Sequence, residues 1–118
     1  MSDFKKLVVW QKAHAMALDA HRLAGKLRRT DQAALRSQII RSALSVPANI
    51  VEGSGQETSK QFNRFLLIAL NSTTELEYHL MVARDLKLAR QDESLNLLSQ
   101  VIEVRKMLHG LRRRLATR

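Results

Sequence analysis

Apolar residues recur at intervals of three and four along almost the whole chain, a periodicity that predicts helix. They fall into four stretches with short breaks between them. The first spans Leu7 to Leu27, with Leu7, Trp10, Ala13, Ala17, Ala20, Ala24 and Leu27 on one face, and ends at Gly25 and "RRTD". Thr30 or Asp31 is expected to cap the next helix by accepting a backbone N–H. The second stretch spans Asp31 to Glu52 and runs into Gly53 and Gly55, which are expected to form a left-handed C-terminal cap. Thr58 with Gln61 three residues on has the capping-box pattern, so a third helix is predicted from Ser59 to Leu88. Its stripe is Phe62, Phe65, Leu66, Ala69, Leu70, Thr73, Leu76, Leu80 and Ala83. The fourth spans Asp92 to Leu115. Its apolar side is Leu95, Leu98, Ile102, Leu108, Leu111 and Leu115, with Val101 and Val104 beside it and Asp92 and Glu93 as helix-start acids. Helices of about 20–30 residues would be about 30–45 Å long, and short connections make sequence neighbours antiparallel. The predicted fold is all-α: an antiparallel up-down four-helix bundle, one domain over residues 1–118.

The stretch "RSQIIRSALSVPANIVEG" departs from ordinary helix. Gln38, Arg41, Ser45, Asn49 and Glu52 are spaced three, four, four and three, which puts a polar ladder along one face. Ile39, Ala43, Val46 and Ile50 flank it on one side, and Ile40, Leu44 and Val51 on the other. Three arrangements fit. The ladder is a solvated face, or an inward network in which Arg41 pairs with Glu52, Glu75 or Glu77, or a strip at a subunit interface; the apolar flanks favour the last two. Pro47 lacks an N–H and crowds the carbonyl four residues earlier. The ladder keeps phase across it, so a proline-kinked continuous second helix is expected.

One proline and four glycines leave few helix breakers. The absence of cysteine rules out a disulfide framework and thiolate metal sites. No segment has signal-peptide character and none reaches the ~18 apolar residues of a membrane span, so a soluble, cytoplasmic protein with no membrane partner is expected. Charge adds the functional cue: 20 Lys+Arg stand against 11 Asp+Glu, net +9. The closing segment "RKMLHGLRRRLATR" contains no acid. Such a field attracts polyanions, with nucleic acid the foremost candidate.

Candidate chemistry is sparse. His14, His21, His79 and His109 are scattered, so no metal site is expected. Glu75 and Glu77, two apart on a helix, face different ways and form no carboxylate pair. "EGSGQETSK" lacks a phosphate-loop pattern, and no nucleophile sits in a recognisable setting. Neither catalytic residues nor a cofactor are predicted. Trp10, Phe62 and Phe65 fall at core positions, which leaves no platform for base stacking. Nucleic-acid contact would therefore go mainly to phosphate. Arg105, Lys106, Arg112, Arg113 and Arg114 are the first candidates, Arg28 and Arg29 the next.

"LVVWQKAHAMALDAHRL", "SQIIRSALSVPANIVEGSG" and "KQFNRFLLIALNSTTELEYHLMVARDLKL", in that order, resemble the bacterial four-helix-bundle family first known as 23S rRNA intervening-sequence proteins. The accessory variability proteins of diversity-generating retroelements are similar. Trp10-Gln11, Ser45-Val46-Pro47-Ala48-Asn49-Ile50 with Glu52-Gly53, and Glu75-Leu76-Glu77 carry the resemblance. It implies a homopentameric ring of bundles and no enzymatic activity. It also implies a positive surface that engages nucleic acid or, in the retroelement branch, a reverse-transcriptase–RNA complex. The family's usual "QLRRA" reads here Gln38-Ile39-Ile40-Arg41-Ser42-Ala43, keeping only Arg41 of the arginine pair, and its Tyr-Gly-Leu is replaced by Ala33-Ala34-Leu35. The sequence thus predicts a non-catalytic homo-oligomer binding structured RNA or DNA, with a protein-interaction scaffold or accessory subunit as the alternative. The ladder, Glu75 and Glu77 serve as structure.

Overall fold

The structure, a computed structural model, describes residues 3–117; Arg118, counted above in the basic tail, lies outside them. Helices α1 (Val8–Ala24), α2 (Ala33–Ser54), α3 (Ser59–Asp85) and α4 (Gln91–Ala116) form a four-helix bundle. One-turn 3₁₀ segments, Phe4–Lys6 and Thr30–Gln32, precede α1 and α2. Each helix packs on two neighbours, α1 on α2, α2 on α3, α3 on α4 and α4 on α1. The assembly measures 47 × 22 × 20 Å.

The core follows from the periodicity. Ala13, Met16 and Ala20 of α1 meet Ile39, Ala43, Val46 and Ile50 of α2, Leu66, Ala69, Leu76 and Leu80 of α3, and Val101, Val104 and Leu108 of α4, all essentially inaccessible. Each such aliphatic side chain contributes about 1.5–3 kcal/mol on burial. Small residues decide how close the helices come. Cross-links between α1 and α4 run Lys12–Glu103, Asp19–Gln100 and Lys26–Glu93, so positions rise on one helix as they fall on the other. Asn63–Arg112 and Glu77–Arg105 follow the same rule on α3 and α4.

Several local expectations hold. Thr58 caps α3: its hydroxyl accepts from the Gln61 N–H at 3.1 Å, and the Gln61 side chain accepts from the Thr58 N–H at 3.2 Å. α2 continues unbroken through Pro47, which is buried. Four others are corrected. Thr30 and Asp31 do not cap α2; they lie in the 3₁₀ turn, and Asp31 pairs with Arg29 at 3.1 Å. α2 is instead tied to the preceding turn by the Arg36 guanidinium, which donates to the Leu27 carbonyl. α3 ends three residues early, at Asp85, because Lys87 takes a left-handed φ of 58°. The Leu88 N–H then reaches the Ala83 carbonyl and the Lys87 N–H the Arg84 carbonyl, which completes a Schellman turn.

The apolar face of α4 is also rotated from the expected one. Ser94, Leu97, Val101, Val104, Leu108 and Leu115 are buried, whereas Leu95 is 54% and Ile102 44% exposed. Two apolar lines overlap on this helix, and the contacts with α1 and α3 select the one containing the valines.

The fourth correction concerns the glycines. No glycine among the described residues has a positive φ, so neither Gly53 nor Gly55 is a left-handed cap. Gly53 sits inside α2 because α3 comes too close for a side chain. A Cβ there would lie 2.7 Å from Phe62 Cδ1 and 2.9 Å from Phe65 Cβ. The Phe65 Cβ is held by its backbone and cannot rotate aside. Gly53→Ala should therefore lose more to overlap than the ~1 kcal/mol it gains in helix propensity, a net destabilisation of about 1–2 kcal/mol. A thermal melt checks this; a raised midpoint would mean α3 yields freely.

Candidate nucleic-acid interface

Successive residues on a helix point about 100° apart. Arg112, Arg113 and Arg114 therefore fan around the end of α4 and do not form one patch. Arg112 turns to α3, where its Nε donates to Asn63 Oδ1 at 2.6 Å. It lines a cleft of about 380 Å³ with Lys60, Asn63, Arg64, Leu67 and Leu115. Arg114 turns the other way. With Lys6 and Lys106 it rims a groove of about 460 Å³ floored by Leu7, Val8, Met107 and Leu111. Arg113 stands exposed between the two. Neither lining contains a histidine or a carboxylate.

Two of the predicted phosphate contacts are already paired within the chain. Arg105 Nη2 donates to Glu77 Oε1 at 2.7 Å, and its Nε to Thr73 Oγ1 at 3.3 Å. Arg29 pairs with Asp31. Arg28 and Arg29 also lie at the far end of the bundle, where the Lys26–Glu93 contact holds the end of α1 to the start of α4. From Glu93 to Arg112 along α4 is about 28 Å, so the two predicted clusters are not brought together.

Ion pairing separates the two ends of the bundle. At the far end Asp19–Arg22, Lys26–Glu93, Arg29–Asp31, Arg84–Asp85 and Arg90–Asp92 are paired, with Arg28 exposed beside them. At the end where α3 begins and α4 finishes, Lys6, Lys60, Arg64, Lys106, Arg112, Arg113 and Arg114 form no ion pair among the described residues. Lys6, Lys60 and Arg64 were not nominated from the sequence. Lys60 and Arg64, four apart and so on one helix face, were the available signal. What they face depended on the pairing of α3 with α4.

The polar ladder divides. Ser45 and Asn49 are half-buried in the α2–α3 seam: the Ser45 and Ser72 hydroxyls lie 2.7 Å apart, and Asn49 Nδ2 donates to the Ser45 carbonyl at 2.8 Å. Gln38, Arg41 and Glu52 are exposed, as is Glu75. The inward pairing of Arg41 with Glu52, Glu75 or Glu77 is not made within the protomer; Glu77 turns to Arg105 on the opposite side of α3. Water reaches the Arg41 position, so no buried partner is needed there.

Among the described residues no group of histidine and acidic side chains could hold a metal ion, and no helix is long and apolar enough to cross a membrane. A four-helix bundle with unpaired cations gathered at one end is the class that fold and site define. The description of the 23S rRNA-intervening sequence proteins matches residues 5–110, and the chain belongs to that family. It is similar to a protein of unknown function from the S23 ribosomal protein family of Bacteroides thetaiotaomicron VPI-5482, known from a crystal structure at 1.70 Å resolution. The two share 26% identity and a TM-score of 0.83, over 88% of this chain and 97% of that one. No curated protein matches the chain.

The Arg105–Glu77 pair, with side chains 26% and 35% exposed, should serve stability. Arg105→Ala should cost about 1 kcal/mol after solvent screening, a fall of roughly 4 °C in thermal midpoint. Arg113→Ala, which removes no contact within the chain, should leave the midpoint unchanged. Equal midpoints for the two variants would show that the pair is merely solvated.

Proposed function

We propose that this protein is a non-catalytic homo-oligomer, a pentameric ring of antiparallel up-down bundles with α2 bent at Pro47, that binds structured RNA or DNA in the cytoplasm. The observation that carries this reading is the gathering of unpaired cations where α3 begins and α4 ends. A cation with a carboxylate partner spends its field locally; an unpaired one is available to a phosphate. A ring repeats the basic end once per protomer, so weak phosphate contacts multiply through avidity. The contacts are to backbone phosphate, since no aromatic platform lines either cleft, and sequence preference is correspondingly low. Arg105 and Arg29 are set aside as internally paired, and Lys60, Arg64 and Lys6 join Lys106 and Arg112–Arg114.

Self-association is supported by the large apolar side chains left in water. On the α3–α4 side Tyr78, Met81, Leu95 and Ile102 are exposed at positions that the pairing of the two helices brings to the same level. In a ring this face would meet a different face of the next protomer. The same apolar strip supports the second reading, a scaffold or accessory subunit that presents it to a protein partner.

Fluorescence anisotropy with a labelled structured RNA and a DNA duplex, titrated at several salt concentrations, tests the first reading. Wild type should show a steep negative log–log salt slope, and replacing Arg112, Arg113 and Arg114 together with Gln should reduce that slope by about three while helicity is kept. An unchanged slope would remove these arginines from the interface. Light scattering tests assembly: Met81→Arg with Ile102→Arg should yield the 13.5 kDa monomer where wild type gives a multimer. Wild type running as a monomer would end the ring proposal.

A further inference from the structure

The cations at the basic end are not equivalent. Arg113 is exposed and lines neither cleft, and Lys6, Lys106 and Arg114 rim the second groove with no side-chain hydrogen bond among the described residues to orient them. The cleft between α3 and α4 is concave, and three cations border it: Lys60 and Arg64, one turn apart on α3, and Arg112 from across the seam. Arg112 is half-buried without any carboxylate to balance it, an arrangement that costs free energy in the free protein. Its orientation is nevertheless fixed. The 2.6 Å bond from Nε to Asn63 Oδ1 is short and charge-assisted, and Asn63 Nδ2 in turn reaches the Arg112 carbonyl at 3.5 Å. The terminal guanidinium nitrogens have no partner among the described residues, so the donor geometry suited to a tetrahedral oxyanion is held ready and unused.

We propose that this cleft is the seat of one phosphate group, bound by Arg112, Lys60 and Arg64, with Asn63 as the positioning residue that aims the Arg112 guanidinium. The proposal deepens the nucleic-acid reading and rests on it for the source of the phosphate. Leu67 and Leu115, at the same cleft, give the phosphate's sugar an apolar surface to lie on. Occupancy relieves the repulsion among three cations, so binding stabilises the fold.

Asn63 separates a built site from a diffuse field, because replacing it removes no charge. Two RNA hairpins of one sequence, 3′-labelled, one 5′-phosphorylated and one 5′-hydroxyl, serve as probes with the full-length oligomer. Asn63→Ala and Arg112→Gln should each weaken binding about tenfold. Combining them should weaken it no further than Arg112→Gln alone, because Asn63 acts through Arg112. Equal losses with both hairpins place an internal phosphodiester in the cleft; a loss confined to the phosphorylated hairpin places the terminal phosphate there. Wild-type affinity in Asn63→Ala and in Arg64→Gln, an exposed position where folding is not at risk, would overturn the seat while leaving the nucleic-acid reading intact. If wild type binds neither hairpin, that reading fails and inorganic phosphate decides the seat. A midpoint rise with phosphate in wild type that shrinks in Arg112→Gln sustains it, and equal rises in both reject it.

Discussion

The close approach of α2 and α3 is the contact on which the rest depends. Gly53 lies where a single additional carbon would strike Phe62 and Phe65, and farther along the seam two serine hydroxyls meet at 2.7 Å. Small residues at both points set how near the helices come and at what register. That register fixes which residues of α3 turn toward α4. It thereby places Asn63 opposite Arg112 and Glu77 opposite Arg105. A half-turn slip would exchange these partners and dissolve the cleft.

Electrostatics then gives the elongated molecule two different ends. Where α1 finishes and α4 begins, acids sit within reach of bases, several within three residues of them in sequence, and the charges cancel locally. Where α3 begins and α4 finishes, Arg112, Arg113 and Arg114 have no carboxylate partner among the described residues. Net charge of +9 is thus less informative than its distribution. A polyanion approaching from a distance is drawn to the bundle as a whole, but among the described residues the larger group of unpaired cations lies where α3 begins and α4 finishes. The helix dipole of α4 places partial negative charge at that same end, which favours arginine there even before any ligand binds.

Much of the architecture was legible in the sequence because it rests on local rules. Four amphipathic periods gave four helices, the Thr58–Gln61 box gave the start of α3, and the phase of the polar stripe across Pro47 gave a continuous α2. The misreadings arose where two local signals competed. Gly53 read as a cap, since glycine past a helical pattern usually is one; its actual reason lies on another helix. On α4 both the line through Leu95 and Ile102 and the line through Val101 and Val104 satisfied the period, and only the neighbours could choose. The end of α3 was overextended because lysine carries no signal for a left-handed φ.

The candidate site was half legible. Composition marked Arg112, Arg113 and Arg114 as available charge, but a row of arginines in a sequence does not say that helical geometry will scatter them around an axis. Nor does it say that Arg105 will be consumed by Glu77, 28 positions away, or that Lys60 and Arg64 will border a cleft with Arg112. The sequence by itself determined the helices, the Thr58 cap of α3 and the basic end of α4, because those depend on neighbours within a few residues. Which cations are paired, and which converge on a shared concave site, was decided only by tertiary structure, because such contacts join residues far apart in sequence through the packing of α3 on α4.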